Sequence, residues 1–246
     1  MHTTYLWHKF NLYWRKIGII FLFFITQNQL FSQTKVYNRR FLENYDDRDI
    51  HFGFYFGTSF SRLEPSFNAD FYTPTNNTVL VSSPAKFGFK VGMVVNKYLN
   101  RRWDVRTTPG INITSKQLDY EIFGSTPISN TRDLDYFEIP VLMKYKSERR
   151  KNSRMYMLAG GNFQVETNIR KGQRNLLSQL PTKTADFCLE YGFGFEQFLE
   201  FGKFAGELRF SHGLKNLFVN DVSNKPHTLG VDGLKSHSVT VYLFFE

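Results

Sequence analysis

The period of the apolar residues constrains this chain more than anything else. Phe52, Phe54 and Phe56 alternate with His51, Gly53, Tyr55 and Gly57. Successive side chains of a strand point to opposite faces, so the stretch has one aromatic face and one small or polar face. The pattern returns seven times. Phe87, Phe89, Val91, Met93 and Val95 alternate with Gly88, Lys90 and Gly92. Trp103, Val105, Thr107, Pro109, Ile111 and Ile113 alternate with Asp104, Arg106, Gly110 and Asn112. Phe137, Ile139, Val141, Met143 and Tyr145 alternate with Glu138 and Lys144. Met155 to Glu166 reads as a less tidy strand with a soft centre at Ala159-Gly160-Gly161. Phe187, Leu189, Tyr191, Phe193 and Phe195 alternate with Asp186, Cys188, Glu190, Gly192, Gly194 and Glu196. Phe204, Leu208 and Phe210 alternate with Glu207, Arg209 and Ser211, and Val239, Val241, Leu243 and Phe245 with Ser238, Thr240 and Tyr242.

The connections between these eight strands alternate long and short. Long ones are expected near 62–84, 121–132, 170–184 and 215–236, short ones near 96–102, 147–153 and 198–202. An even-numbered membrane barrel with both termini in the periplasm has short periplasmic turns and longer outer loops in that order. A soluble sandwich or lipocalin-like barrel has no reason to follow it. The expectation is an all-β fold, an eight-stranded antiparallel up-and-down transmembrane barrel over residues 50–246.

The N-terminus fits export. Lys9, Arg15 and Lys16 precede an apolar run from Ile17 to Ile25, and Leu30-Phe31-Ser32-Gln33 follows. This is the layout of a secretory signal peptide, too short to cross a bilayer as a helix of about 20 residues. Residues 1–32 are assigned to the signal, 33–49 to a mobile periplasmic lead-in. The mean hydropathy of −0.36 and the lack of a second long apolar run exclude a helical membrane protein. Removing Lys9, Arg15 and Lys16 from the 31 basic residues leaves 28 against 22 acidic ones, a net charge of +6. That balance suits an anionic membrane surface. No basic helical run, zinc spacing or RNP pattern supports a nucleic-acid partner. The single cysteine, Cys188, forms no intramolecular disulfide, so stability must come from elsewhere, as a closed hydrogen-bonded barrel provides.

Alternation alone does not fix which face is outside. The 27 phenylalanines, the loop parity and the aromatic final strand do, and they put the apolar sets above against lipid. The inner face then carries Lys90, Asp104, Arg106, Glu138, Lys144, Asp186, Glu190, Glu207 and Arg209. An eight-stranded barrel is just wide enough to be filled by side chains, and buried charges must be paired. The expectation is an interior ion-pair network that plugs the lumen, with a proton or solute path as the alternative. Pro109 and Pro140 stand inside strands, where local bulges are expected.

Candidate chemistry is thin. Ser211-His212 could begin a hydrolase site, since a lipid-modifying barrel needs a nucleophile beside a base. His212-Gly213-Leu214-Lys215 lacks the Ser and Asn that follow the histidine in outer-membrane lipid A deacylases. No zinc spacing, P-loop or GxSxG motif is present in the mature chain. Catalytic, metal and cofactor residues are therefore expected to be none.

The segment Tyr136-Phe137-Glu138-Ile139-Pro140-Val141-Leu142-Met143-Lys144-Tyr145 resembles a motif common to small outer-membrane barrels of the Bacteroidetes. Ile50-His51-Phe52-Gly53-Phe54, Arg106-Thr107-Thr108-Pro109-Gly110, the stretch from Glu207 to Leu217 and the ending Phe244-Phe245-Glu246 are narrower. Together they resemble the PorT (SprT) family over roughly Asp49 to Glu246. That resemblance implies an outer-membrane component of the type IX secretion system, which exports cargo and in some species supports gliding. It implies no catalytic residues. Outer-membrane lipid and other secretion-system proteins would be its partners, and the role accessory, because a filled eight-stranded barrel does not conduct folded cargo. A generic small barrel with a structural, adhesive or narrow porin-like role is the alternative reading.

Overall fold

The computed structural model describes residues 40–67, 79–122, 128–167, 183–218 and 231–246. The signal segment 1–32 lies outside them. Ten strands follow one another: β1 (Ile50–Phe67), β2 (Val79–Ser82), β3 (Lys86–Tyr98), β4 (Trp103–Thr107), β5 (Gly110–Ile122), β6 (Ile128–Lys146), β7 (Ser153–Glu166), β8 (Ala185–Phe198), β9 (Lys203–Gly213) and β10 (Val231–Phe245). β2 with β3 and β4 with β5 are single staves interrupted once, so the ring has eight staves. Each stave pairs antiparallel with its neighbour in sequence. β1 pairs with both β10 and β3, at Phe54↔Phe245 and Phe54↔Met93, which closes the sheet. From Ile50 to Ser61 the closing ladder leaves no free edge, the condition a spanning sheet must meet, while past Ser61 no ladder joins β1 to β2 among the described residues.

The two interruptions have different causes. β3 meets β4 at Val95↔Thr107 and β5 at Gly92↔Gly110, the same register on both sides of the break. β6 likewise carries through from Val141↔Thr107 to Glu138↔Gly110, which sets Pro140 opposite the Thr108–Pro109 gap. On its other edge Pro140 pairs with Asn162 in an unbroken ladder. The bulges expected at Pro109 and Pro140 are absent. Two residues without N–H groups share one gap in one ladder, so no extra residue is needed. The slip occurs at Pro84 instead. Between Ser82↔Asp119 and Gly88↔Thr114, five residues of one stave face four of the other. Ser83 knits this bulge, accepting from Leu63 N at 3.0 Å and donating to Gln117 O at 2.7 Å.

The strands run further than the sequence pattern suggests at the long-loop end. β1 reaches Phe67 and β5 and β6 reach Ile122 and Ile128, so the first two long connections are shorter than expected. Inside this extension Leu63, Leu118, Leu217 and Leu234 are buried together, with Phe67, Val81 and Phe218 against them. β7 is regular, not soft. Arg154, Tyr156, Leu158, Asn162, Gln164 and Glu166 all turn inward, and the paired glycines only thin the wall.

Nor is the lead-in loose where it is described. A short 3-10 helix, Tyr45–Asp47, lies across the short-turn end of the barrel. Tyr45 Oη donates to Glu246 Oε2 at 2.9 Å, and its ring stacks on His51 at 3.9 Å. Asp46 accepts two bonds from Arg154, at 3.0 and 3.1 Å. Phe41 N donates to Asn152 Oδ1 at 3.0 Å. Specific charges on both partners hold a segment whose polar composition reads as a tail.

Candidate functional site: the packed lumen

Inward parity brings the charged residues together. Eight cations are buried: Lys90, Arg106, Lys116, Lys144, Lys146, Arg154, Lys203 and Arg209. Seven buried acids face them: Asp104, Glu138, Glu166, Asp186, Glu190, Glu196 and Glu207. The side chain of Glu246, also fully buried, makes the acids eight. Among the described residues the lumen's buried side chains thus balance in formal charge, eight basic against eight acidic. All nine residues expected to form the interior network lie here. The other seven were missed. Arg154, Lys146 and Lys203 stand at strand ends beside turns, Glu246 follows the final strand, Lys116 lies beyond the stretch read as the third strand, and Glu166 and Glu196 close the alternation of β7 and β8. The same inward parity covers Glu196 and Glu166 already, and extending it by a few residues reaches the other five.

Arg106 is the hub. Its Nη1 donates to Glu207 Oε2 at 2.7 Å, its Nη2 to Glu246 Oε1 at 3.2 Å and its Nε to Asn96 Oδ1 at 2.7 Å. Tyr156 Oη donates to the same Glu207 oxygen at 2.8 Å. Arg209 holds the other Glu207 oxygen at 2.5 Å and reaches Glu190 at 3.2 Å. Toward the short-turn end, Glu196 gathers Arg154 at 2.7 Å, Lys203 at 3.1 Å and Lys144. Lys146 pairs with Asp104 at 2.6 Å. Further up, Lys90 and Asn112 both donate to Glu138, at 2.8 and 2.6 Å. Asp186 sits apart from these hubs, accepting from Phe187 N at 2.8 Å. Taking an ion out of water costs several kcal/mol, and these multiple donors per carboxylate offset it.

Aromatic rings fill what charges leave. The Arg209 guanidinium lies 4.4 Å from the Tyr242 ring and the Arg106 guanidinium 4.7 Å from Phe244. Gly194 admits Tyr156: a Cβ there would stand 2.5 Å from the phenol oxygen. Outside the strands, two groups at the short-turn mouth respond to this field. Burial, then the Glu246 carboxylate, push the Tyr45 phenol well up. Burial alone would raise Glu246, but Lys203, Arg106 and Lys144 overcome it and hold the carboxyl down at about 2.

The outward face is apolar. Phe52, Phe54, Phe56, Phe87, Phe89, Ile111, Ile113, Phe137, Ile139, Phe187, Leu189, Phe193, Val239, Val241, Leu243 and Phe245 are all exposed. Phe204, Leu208 and Phe210 are half-buried on the same face. A depression of about 800 Å³ opens on this wall around Gly206, between Met157, Phe195, Leu208 and Leu243. Ser211 and His212 part company. Ser211 is buried inside, while His212 lies on the outer wall, accepting or donating at 3.0 Å to Tyr191 Oη. Adjacent strand residues point to opposite faces, so no Ser–His pair forms. Among the described residues no group of three metal-binding side chains gathers.

The sequence matches the family described as outer membrane protein beta-barrel domain over residues 31–219. No curated protein matches it. Among solved structures it is similar to the outer membrane protein OprG from Pseudomonas aeruginosa, at 15% identity and a TM-score of 0.41, covering 80% of this chain and 91% of that one. Ail, the attachment invasion locus protein of Yersinia pestis, is also similar, at 15% identity and a TM-score of 0.31, covering 79% and 96%.

Proposed function

Because this chain belongs to the outer membrane protein beta-barrel domain family, we propose that it is a sealed, non-enzymatic barrel of the outer membrane that works through its surfaces and not through its lumen. The observation that carries this is the buried charge network, balanced in formal charge and ion-paired around Arg106, Glu196, Glu138 and Asp104, overlain at the long-loop end by the Leu63, Leu118, Leu217 and Leu234 cluster. A solute would have to break several buried ion pairs and then cross an apolar cap. The short turns face the periplasm in this reading, with both termini on that side and the apolar belt in lipid. Along β1 the exposed phenylalanines run from Phe52 to Phe60, a length that suits the roughly 9–11 residues of a spanning strand.

An accessory role in type IX secretion is the finer reading. Its support is that two of the segments resembling the PorT family, Arg106 to Gly110 and Glu207 to Leu217, supply the Arg106–Glu207–Arg209 hub. A structural barrel serving such a machine would offer its loops, its outer wall and the end closed by Tyr45–Asp47 to partners. Two measurements test these readings. Purified barrel in planar bilayers should give no stepwise conductance; steady single-channel steps would sink the sealed barrel. A deletion strain should lose export of type IX cargo with lipid A unchanged. Intact export with altered surface or permeability would leave the generic structural role and remove the secretion one.

A further inference from the structure

On the outer wall, at the rim where the apolar belt ends, four side chains from four neighbouring strands join in a row. Tyr191 of β8 lies 3.0 Å from His212 Nε2 through its hydroxyl. His212 of β9 faces His237 of β10 in direct register, Nδ1 to Nδ1 at 2.8 Å. His237 Nε2 lies 2.6 Å from Glu64 Oε2 of β1, and this nitrogen is buried without an aligned hydrogen-bond partner. The next rows toward the short-turn end are Phe60, Val239 and Phe210, so the cluster stands at the boundary of the belt.

Two Nδ1 atoms at 2.8 Å leave room for one proton. A neutral ring carries one N–H and one lone pair, so one imidazole donates and the other accepts. The pair therefore keeps a lone pair on one Nδ1 and a replaceable proton on the other. We propose that His212 and His237 form a binding site for a divalent first-row transition cation, which takes the place of that shared proton as the proton moves to the Nε2 of its own ring, so that both neutral rings ligate through Nδ1 and donate from Nε2. The arrangement has what such a site needs beyond its two ligands. Histidines that bind metals are oriented through their second nitrogen by a carboxylate or another polar group. Here Glu64 stands against one distal nitrogen and Tyr191 against the other. Metal–nitrogen bonds of about 2.0–2.1 Å in a tetrahedral site hold two nitrogens roughly 3.3 Å apart. For a tetrahedral cation such as zinc the pair must open by about half an ångström, a small change for two half-exposed rings, whereas the square-planar geometry of copper(II) accepts cis nitrogens close to the spacing already present. The cation keeps water at its remaining positions, because no third protein donor gathers there among the described residues. Ligand type puts copper(II) ahead of zinc and nickel. The other charges facing the pair are Arg62, opposite His237, and Lys235, opposite Glu64, both exposed.

The test is a titration of untagged, folded protein in detergent micelles with copper(II) and zinc(II) at pH 7.5. One equivalent of saturable binding is expected, weakened at least tenfold in H212Q and in H237Q. E64Q and Y191F should weaken it by about 10-fold or more through lost orientation. Affinity should fall as the pH drops to 5.5, since a proton competes for the same nitrogens. Electron paramagnetic resonance of the copper-loaded wild-type protein should show coupling to two imidazole nitrogens. This needs no variant, so a misfolded mutant does not spoil the test. No saturation up to about millimolar metal, binding unchanged in H212Q and H237Q, or a copper signal without two nitrogens would each overturn the proposal and leave a hydrogen-bonded pair.

Discussion

Arg106 and Glu207 meet across the lumen at 2.7 Å, both fully buried, from strands whose residues are 101 apart in sequence. Neither side chain is exposed to solvent, so each must find its counter-ions inside the lumen: Arg106 has Glu207 and Glu246, and Glu207 has Arg106 and Arg209. Removing one partner of a buried pair strands the other, which costs about 3–5 kcal/mol. Glu207→Gln is expected to lower stability toward the low end of that range, since Arg106 and Arg209 each lose one carboxylate and keep another, Glu246 and Glu190. Replacing Arg106 and Glu207 together by apolar residues of similar volume is expected to cost less than the single change. Urea-unfolding midpoints of the folded barrel in lipid vesicles check both, and a single change as mild as the double one would show the pair to be unimportant.

Gly194 and Tyr156 test the packing of the same hub. The phenol oxygen occupies the space a Cβ at position 194 would need. Gly194→Val therefore displaces Tyr156 from Glu207 as well as crowding the wall. Overpacking of this kind costs about 1–3 kcal/mol, and the lost bond to a charged acceptor adds to it. Gly161 faces outward, against the ring of Phe187. The same change there should be the milder, because that ring is exposed and can yield. Equal losses at the two positions would contradict this account.

Much of the fold was legible because a strand's period is two and the barrel uses it without exception from Phe52 to Phe60 and from Phe187 to Phe195. Parity alone placed Lys90, Arg106, Glu138 and Arg209 on one side of the wall. What parity does not carry is register. That Pro140 lies opposite the Thr108–Pro109 gap, or that His212 lies opposite His237, depends on pairings between strands far apart in sequence. The role of Asp46 was hidden for the same reason: its partner Arg154 is 108 residues away.

Glu246 gives the acid stability of the short-turn end a definite direction. Its carboxyl is held at about 2 in the folded chain, against an ordinary value of 4.5. A group depressed on folding stabilises the folded state above its unfolded value and loses that contribution as pH falls through the folded one. The contribution is therefore complete above about pH 4.5 and gone near pH 2. Glu246→Gln should be less stable than wild type at pH 7, with the gap between the two closing as pH drops through that window. Heat-modifiability midpoints from pH 7 to 2.5 measure it. A gap that stays constant with pH would show that Lys203 and Arg106 do not act through this carboxylate.

The outer wall offers a test of the medium it faces. On β10 the outward residues run Phe245, Leu243, Val241 and Val239 before reaching His237. Val241 stands midway. In lipid, a lysine at the mid-height of a barrel wall costs about 2–4 kcal/mol, falling to about 0–1 near either interface. Val241→Lys should therefore destabilise the refolded barrel by the larger amount, and a lysine at Phe245 by the smaller. In water the order would differ. Both positions are already exposed, and a surface lysine there is worth within about 0.5 kcal/mol either way. Refolding into vesicles, followed by urea titration of each variant, separates the two cases. A steep dependence on height along β10 supports the membrane belt, whereas a flat one would put the phenylalanine wall in contact with something other than lipid.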